Sequence, residues 1–342
     1  MKLSVLDLVP VRTDQTTSDA LAATTELVRA ADRLGFERYW VAEHHNMPAV
    51  AATAPPVLIA HLAAHTERIR VGSGGVMLPN HAPLAVAEQF ALLEAAHPGR
   101  IDLGIGRAPG SDPVTSWALR GAAGRDDSDI QNFPRYLDDV VALMDGRGVR
   151  VPIPNQQYVL KATPVAQGAP QLWLLGSSMY SAHLAAAKGL PYVFAHHFSG
   201  HGTAEALEVY RSEFRPSDVC DRPTTFLTAN VVVADTTDEA AALALPNLQN
   251  MARLRTGKPM GPVDLVEDAE ALELDQGMES LVDSGLARMV VGDPETARKE
   301  LEALAAQFEV DEVMVHPVAS ARRGTDPRTS PARVRTLELL AG

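Results

Sequence analysis

Residues 69–106, IRVGSGGVMLPNHAPLAVAEQFALLEAAHPGRIDLGIG, carry the pattern that decides the fold. The segment 69–78 is β-branched and glycine-rich and predicts a strand. Pro83 opens a helical run over 83–97, and 101–106 predicts the next strand. A strand, a covering helix and a second strand in so short a span form a βα unit of a parallel sheet. The unit recurs on both sides. Upstream, 3–9 is a β-rich run. The helix after it shows Ala20, Ala23, Leu27, Ala30, Ala31 and Leu34 on one face, with Ser18 as N-cap and Gly35 as its stop. A strand over 38–43 and a helix over 55–65 follow. Downstream, helices are predicted over 133–144, 181–188, 204–214, 238–254 and 333–340. They alternate with strands over 171–176, 191–195, 225–234 and 312–316.

Eight strands with their helices imply an α/β protein. In this length the expected architecture is a closed (β/α)8 TIM barrel, one domain over 1–342. Three stretches fall outside the repeat and read as insertions at the C-terminal face of the strands: 107–131, 146–170 and 256–276. The last is acidic and punctuated by glycine and proline, the composition of a mobile lid.

Composition removes several classes of function. Thirty basic against 43 acidic residues leave a net charge of −13, which argues against nucleic acid or an anionic membrane as partner. One cysteine, Cys220, makes neither an internal disulfide nor a CxxC metal site. The start, MKLSVLDLVPVRTD, lacks the apolar run of a signal peptide. The uncharged stretches 44–66, 71–87 and 162–187 are broken by proline, glycine and polar residues, so none reads as a membrane span. The expected location is cytoplasmic.

In such a barrel, chemistry sits where strands end. Strand 2 delivers Glu43, His44 and His45, strand 3 carries Gly74 and Gly75, and strand 4 delivers Arg107. Strand 5 ends in Gly176-Ser177-Ser178, strand 6 in His196 and His197, and strand 8 in His316. Each alone has an ordinary structural explanation, and of two adjacent histidines only one can face the pocket. Together they say more. Arg107 and the serine turn stand on neighbouring strands, and an arginine beside a helix N-terminus suits a monophosphate. Gly74-Gly75 offers bare backbone for a flat ring. Strands 2 to 5 span roughly 14 Å at about 4.8 Å per spacing. That fits a planar head with a phosphate tail, such as flavin mononucleotide. No GxGxxG follows a strand and no Walker loop is present.

The chain resembles the bacterial luciferase-like flavin-dependent monooxygenases over essentially its whole length. The resemblance rests on AEHHN (42–46), VGSGGVMLPNHAP (71–83), AEQFALLEAAHPGRIDLGIGRAPG (87–110), LLGSSMYSA (174–182) and VDEVMVHP (310–317). It looks closest to the actinobacterial polyketide-tailoring, mensacarcin-type subgroup. The resemblance implies a homodimeric barrel that takes reduced FMN (FMNH2) from a separate flavin reductase. O2 would then act through a C4a-peroxyflavin to hydroxylate or epoxidise a small organic substrate, as in antibiotic biosynthesis. By position His44 would be the catalytic acid/base, and Gly74-Gly75 a non-prolyl cis peptide under the flavin ring. Arg107, Ser177, Ser178 and the amide of Met179 would grip the phosphate. His45, His196, His197 and His316 are candidates for the substrate pocket, and no metal is expected. Light-emitting relatives carry cysteine where this chain has Gly106, which argues against bioluminescence. The rival readings are an F420-dependent oxidoreductase of the same superfamily, a histidine-rich metal-dependent barrel hydrolase and a non-catalytic flavin-binding protein.

Overall fold

The computed structural model describes residues 1–108, 112–120, 128–154, 156–165, 167–258 and 260–342. Parts of the expected insertions, and the last two residues of the GIGRAPG run, lie outside the described residues.

The strands are β1 (Lys2–Asp7), β2 (Arg38–Val41), β3 (Arg70–Met77), β4 (Ile101–Gly106), β5 (Val149–Ile153), β6 (Gln156–Leu160), β7 (Gln171–Gly176), β8 (Tyr192–Phe194), β9 (Thr225–Val233), β10 (Val290–Gly292) and β11 (Glu312–Pro317). Eight of them pair in parallel in the order β1-β2-β3-β4-β7-β8-β9-β11. Pairing of β11 with β1 closes the (β/α)8 barrel. β10 adds to the C-terminal half of β9, where Val290 to Gly292 pair with Val231 to Val233.

Local chemistry sets the helices that cover the barrel. The helix Thr17–Leu34 is capped not by Ser18 but by Thr16, in a reciprocal capping box with Asp19, and it stops at Gly35 in the left-handed region. Its apolar side packs into the main core through Ala20, Leu27, Val28 and Ala31. Among the described residues no helix is long and apolar enough to cross a membrane.

Two insertions differ from expectation. Within 146–170, β5 and β6 form an antiparallel hairpin. It lies between the helix Phe133–Met144 and the start of β7, which is the N-terminal end of the barrel, opposite the strand tips. The segment 256–276 is bonded down rather than free. Val263 exchanges backbone hydrogen bonds with Val11 (2.8 Å) and Thr13 (2.9 Å), and Val266 N–H donates to Ala321 (3.0 Å). Ser320 Oγ donates to the Asp264 carbonyl at 2.7 Å. The segment thereby bridges the loops after β1 and β11, over the C-terminal end.

The barrel is filled in layers, as inward residues of alternating register require. At its lower end Arg38 donates to Asp102 (2.9 Å) and Glu312 (2.7 Å), and Ser4 donates to Glu312 (2.6 Å). Trp40 Nε1 and Arg70 Nε also donate to Asp102, at 2.9 and 2.8 Å. These buried charges persist because each is paired and hydrogen-bonded. Above them Leu6, Trp40, Trp173, Val193, Phe226 and Met314 form one apolar cluster. The Trp173 and Phe226 ring centroids lie 4.9 Å apart, and Arg38 sits 5.0 Å from the Trp173 ring. The next layer is the site.

Candidate active site

Beyond the end of β2, His44 lies within electrostatic reach of His197 and His316, while His45 turns to Glu43. Glu43 is almost wholly buried and is held by three donors. His45 Nε2 (2.9 Å), His81 Nε2 (2.7 Å) and the Met77 amide (2.9 Å) all reach its carboxylate. Burial pushes the Glu43 carboxyl up, but the bonds from His81, His45 and Met77 outweigh it, and the net shift is downward. This clasp ties the end of β2 to the end of β3. His45, expected in the substrate pocket, is instead engaged by the Glu43 carboxylate two residues before it. His81 lies inside the VGSGGVMLPNHAP run but was not singled out by sequence. Only the pairing of β2 with β3 brings it to Glu43.

His44 is anchored by its amide, which donates to the Ala52 carbonyl at 2.9 Å. Its Nδ1 is buried without a hydrogen-bond partner. Burial pulls its pKa below the usual 6.5, and Glu43 opposes that only in part. His44 interacts electrostatically with His197 and His316. The His197 and His316 rings stand edge to face at 5.9 Å. His316 Nδ1 meets Asn230 Oδ1 at 2.9 Å, Asn230 Nδ2 donates to the His197 carbonyl at 2.8 Å, and His197 Nδ1 meets Thr228 Oγ1 at 2.9 Å. Burial lowers His197 to about 4, and His316 is also held well down, so both are neutral near pH 7. His196 Nδ1 meets Thr203 Oγ1 (2.8 Å) and its ring packs on Phe308, while the residue lines the same cavity as His197 and Asn230. Among the described residues no three His, Cys, Asp or Glu side chains are grouped to hold a metal ion.

Across the mouth, the third strand is interrupted at its glycines. Ser73 pairs with Leu103 and Val76 with Ile105, so β3 carries one extra residue there, and the Gly74-Gly75 peptide is cis. Glycine is required on packing grounds. A Cβ on Gly74 would lie 2.9 Å from Leu6 Cδ1, and one on Gly75 would lie 2.8 Å from the Gly104 carbonyl oxygen. At Gly106 a Cβ would meet nothing within 4 Å, so the tip of β4 faces open space.

β4 and β7 pair with Gly106 opposite Leu175, which sets Arg107 beside the turn Gly176-Ser177-Ser178. The Arg107 guanidinium lies 4.1 Å from the Tyr180 ring centroid. Ser178 is the N-cap of the helix Met179–Lys188 but makes no side-chain cap bond. Ser177, Ser178, Met179 and Tyr180 are all exposed. This helix end keeps its capacity for an external anion, with a cation held against it. A flavin mononucleotide fits the arrangement: a cation and helix end for the phosphate, open space at Gly106, and an orphaned His44 Nδ1.

Comparison with known proteins identifies the family. The family model for luciferase-like monooxygenases matches residues 1–312. A luciferase-like monooxygenase of Escherichia coli K12 is 40% identical over 316 residues, covering 92% of this chain and 90% of that protein. The N-acetyl-S-alkylcysteine monooxygenase of Bacillus subtilis is 31% identical over 326 residues, with 94% of each covered. The crystal structure of apo-MsnO8 superposes with a TM-score of 0.84 at 36% identity, covering 99% of this chain and 97% of that one. The chain belongs to the luciferase-like monooxygenase family and is an enzyme of the flavin-type monooxygenase class.

Proposed function

We propose that the protein is the oxygenase of a two-component system, using reduced FMN and O2 to insert one oxygen atom into a small organic substrate. The single observation that carries this reading is the placement of Arg107 against Tyr180, beside the uncapped start of the helix Met179–Lys188. When bound, reduced FMN supplies the two electrons with which O2 is split between substrate and water.

The residues of the chain do the rest. Arg107, Ser177, Ser178 and the Met179 amide hold the phosphate. Gly74-Gly75 presents backbone without side chains to the ring. His44, kept neutral by burial, accepts or returns a proton at its Nδ1. Glu43 positions His44 by holding the end of β2. The apolar layer beneath and the bonded 256–276 segment above limit water, which protects a reactive oxygen donor. The resemblance to the polyketide-tailoring subgroup favours hydroxylation or epoxidation. It also favours a homodimer formed through helices early in the chain, with a flavin reductase as supplier of FMNH2.

The test is anaerobic titration of reduced FMN and of reduced F420 into the protein and into Arg107→Ala. The protein binds reduced FMN in preference, and the variant loses about 1.5–3 kcal/mol, the range for charge-assisted hydrogen bonds. Preference for F420, or unchanged FMN affinity in the variant, would refute the assignment.

A further inference from the structure

Several arginines of this acidic chain sit on carboxylates, among them Arg12, Arg38, Arg70, Arg322 and Arg333. Arg255 and Arg288 do not. Both line a narrow cavity of about 30 Å³ between the strand tips and the helices Thr237–Arg255 and Gln276–Leu286. No Asp or Glu is among the described residues lining it. Arg288 Nη2 is buried without a hydrogen-bond partner, and the Arg288 stem packs where a side chain on Gly200 would stand. The two guanidiniums repel: burial and the charge of Arg288 both lower the pKa of Arg255. Two like charges on one cavity, one with a buried donor unspent, are arranged for an anion from outside.

The cavity borders the active site. His196, His197 and Asn230 line it, and Asn247 lines both it and a neighbouring cavity of about 50 Å³ that reaches His316. That second cavity is walled largely by apolar groups, including Leu8, Val50, Val263 and Val318, and its own arginines, Arg12 and Arg333, are already paired. A ligand bridging the two has a charged end at the arginines and an apolar body beside the histidines. The phosphate site at Arg107 is separate, being carried by β4 and β7.

We infer that Arg255 and Arg288 bind the carboxylate of the substrate, so that the enzyme oxygenates an amphipathic organic acid. The substrate role rests on the function proposed above; the anion preference of the cavity does not.

The experiment is calorimetric titration of hexanoate and benzoate, each against its amide, into the full chain with and without FMN. Arg255→Gln and Arg288→Gln are measured beside the parent. The carboxylates bind at least tenfold more tightly than their amides, and each variant removes that margin while leaving the amides and FMN unaffected. Equal binding of acid and amide, no binding of either acid, or an unchanged margin in both variants overturns the inference. So does a loss of FMN affinity in the variants, because the arginines would then serve the cofactor phosphate. If FMN fails to bind the parent while the arginine-dependent margin persists, the oxygenase reading falls and the anion site stands.

Discussion

Glu43→Gln isolates what the carboxylate clasp contributes, because the side chain keeps its shape and loses its charge. In the native protein the carboxylate accepts from His45, His81 and the Met77 amide, all within 2.9 Å. Hydrogen bonds to a charged group contribute about 1.5–3 kcal/mol each. Glutamine keeps one acceptor oxygen and turns its amide nitrogen toward a donor, so we expect a net loss of about 2–4 kcal/mol. For 342 residues, at about 2.1 cal/mol/K each, the unfolding entropy is roughly 0.7 kcal/mol/K. The loss then lowers Tm by about 3–6 °C. The sign with pH follows from the direction of the shift. The folded-state pKa of Glu43 lies below its usual 4.5, so its stabilisation is complete above that value and fades as pH falls below it. The assay is differential scanning calorimetry of both proteins at pH 8 and at a series of values below 4.5. The Tm gap is full at pH 8 and narrows on the acid side. A gap under 1 °C at pH 8, or one that widens with acid, refutes the reasoning.

His44→Ala leaves reduced-FMN affinity within about twofold and lowers product formation by about 100-fold or more, the contribution of a positioned acid/base. In the parent, activity that needs neutral His44 falls as pH drops through a pKa below 6.5, a limb the variant lacks in a pH–rate profile; normal turnover in the variant would remove His44 from the reaction. The glycines of β4 provide a matched pair. Gly104→Ala places a Cβ 2.1 Å from the Ser73 carbonyl oxygen and costs about 2–4 kcal/mol. Gly106→Ala meets nothing and stays within about 0.5 kcal/mol of the parent by the same denaturation. Equal stability of the two variants contradicts the packing described at the bulge.

The eight barrel strands were legible because each is a short apolar run between helical periods. For β4 and β7 even the bounds agree with the reading of 101–106 and 171–176. β10 escaped because three residues, Val290 to Gly292, carry no period of their own. The helix Pro294–Gln307 has a readable start, Asp293 capping Glu295 and Thr296 with Pro294 behind it, but it lies outside the eight βα units that the sequence pattern marks. Within the site, Arg107 and the serine turn could be placed together because consecutive barrel strands are neighbours. The Glu43–His81 contact joins residues 38 apart through register, and Arg255 meets Arg288 through helix packing. Neither leaves a mark in local sequence.

The Arg38–Asp102–Glu312 lattice and the tryptophan layer above it stop the bore of the barrel from below. The protein is thus a blind-ended vessel with a single rim. Whatever the site receives or releases therefore crosses the strand tips, on the side where His44, Arg107 and the bonded 256–276 segment stand.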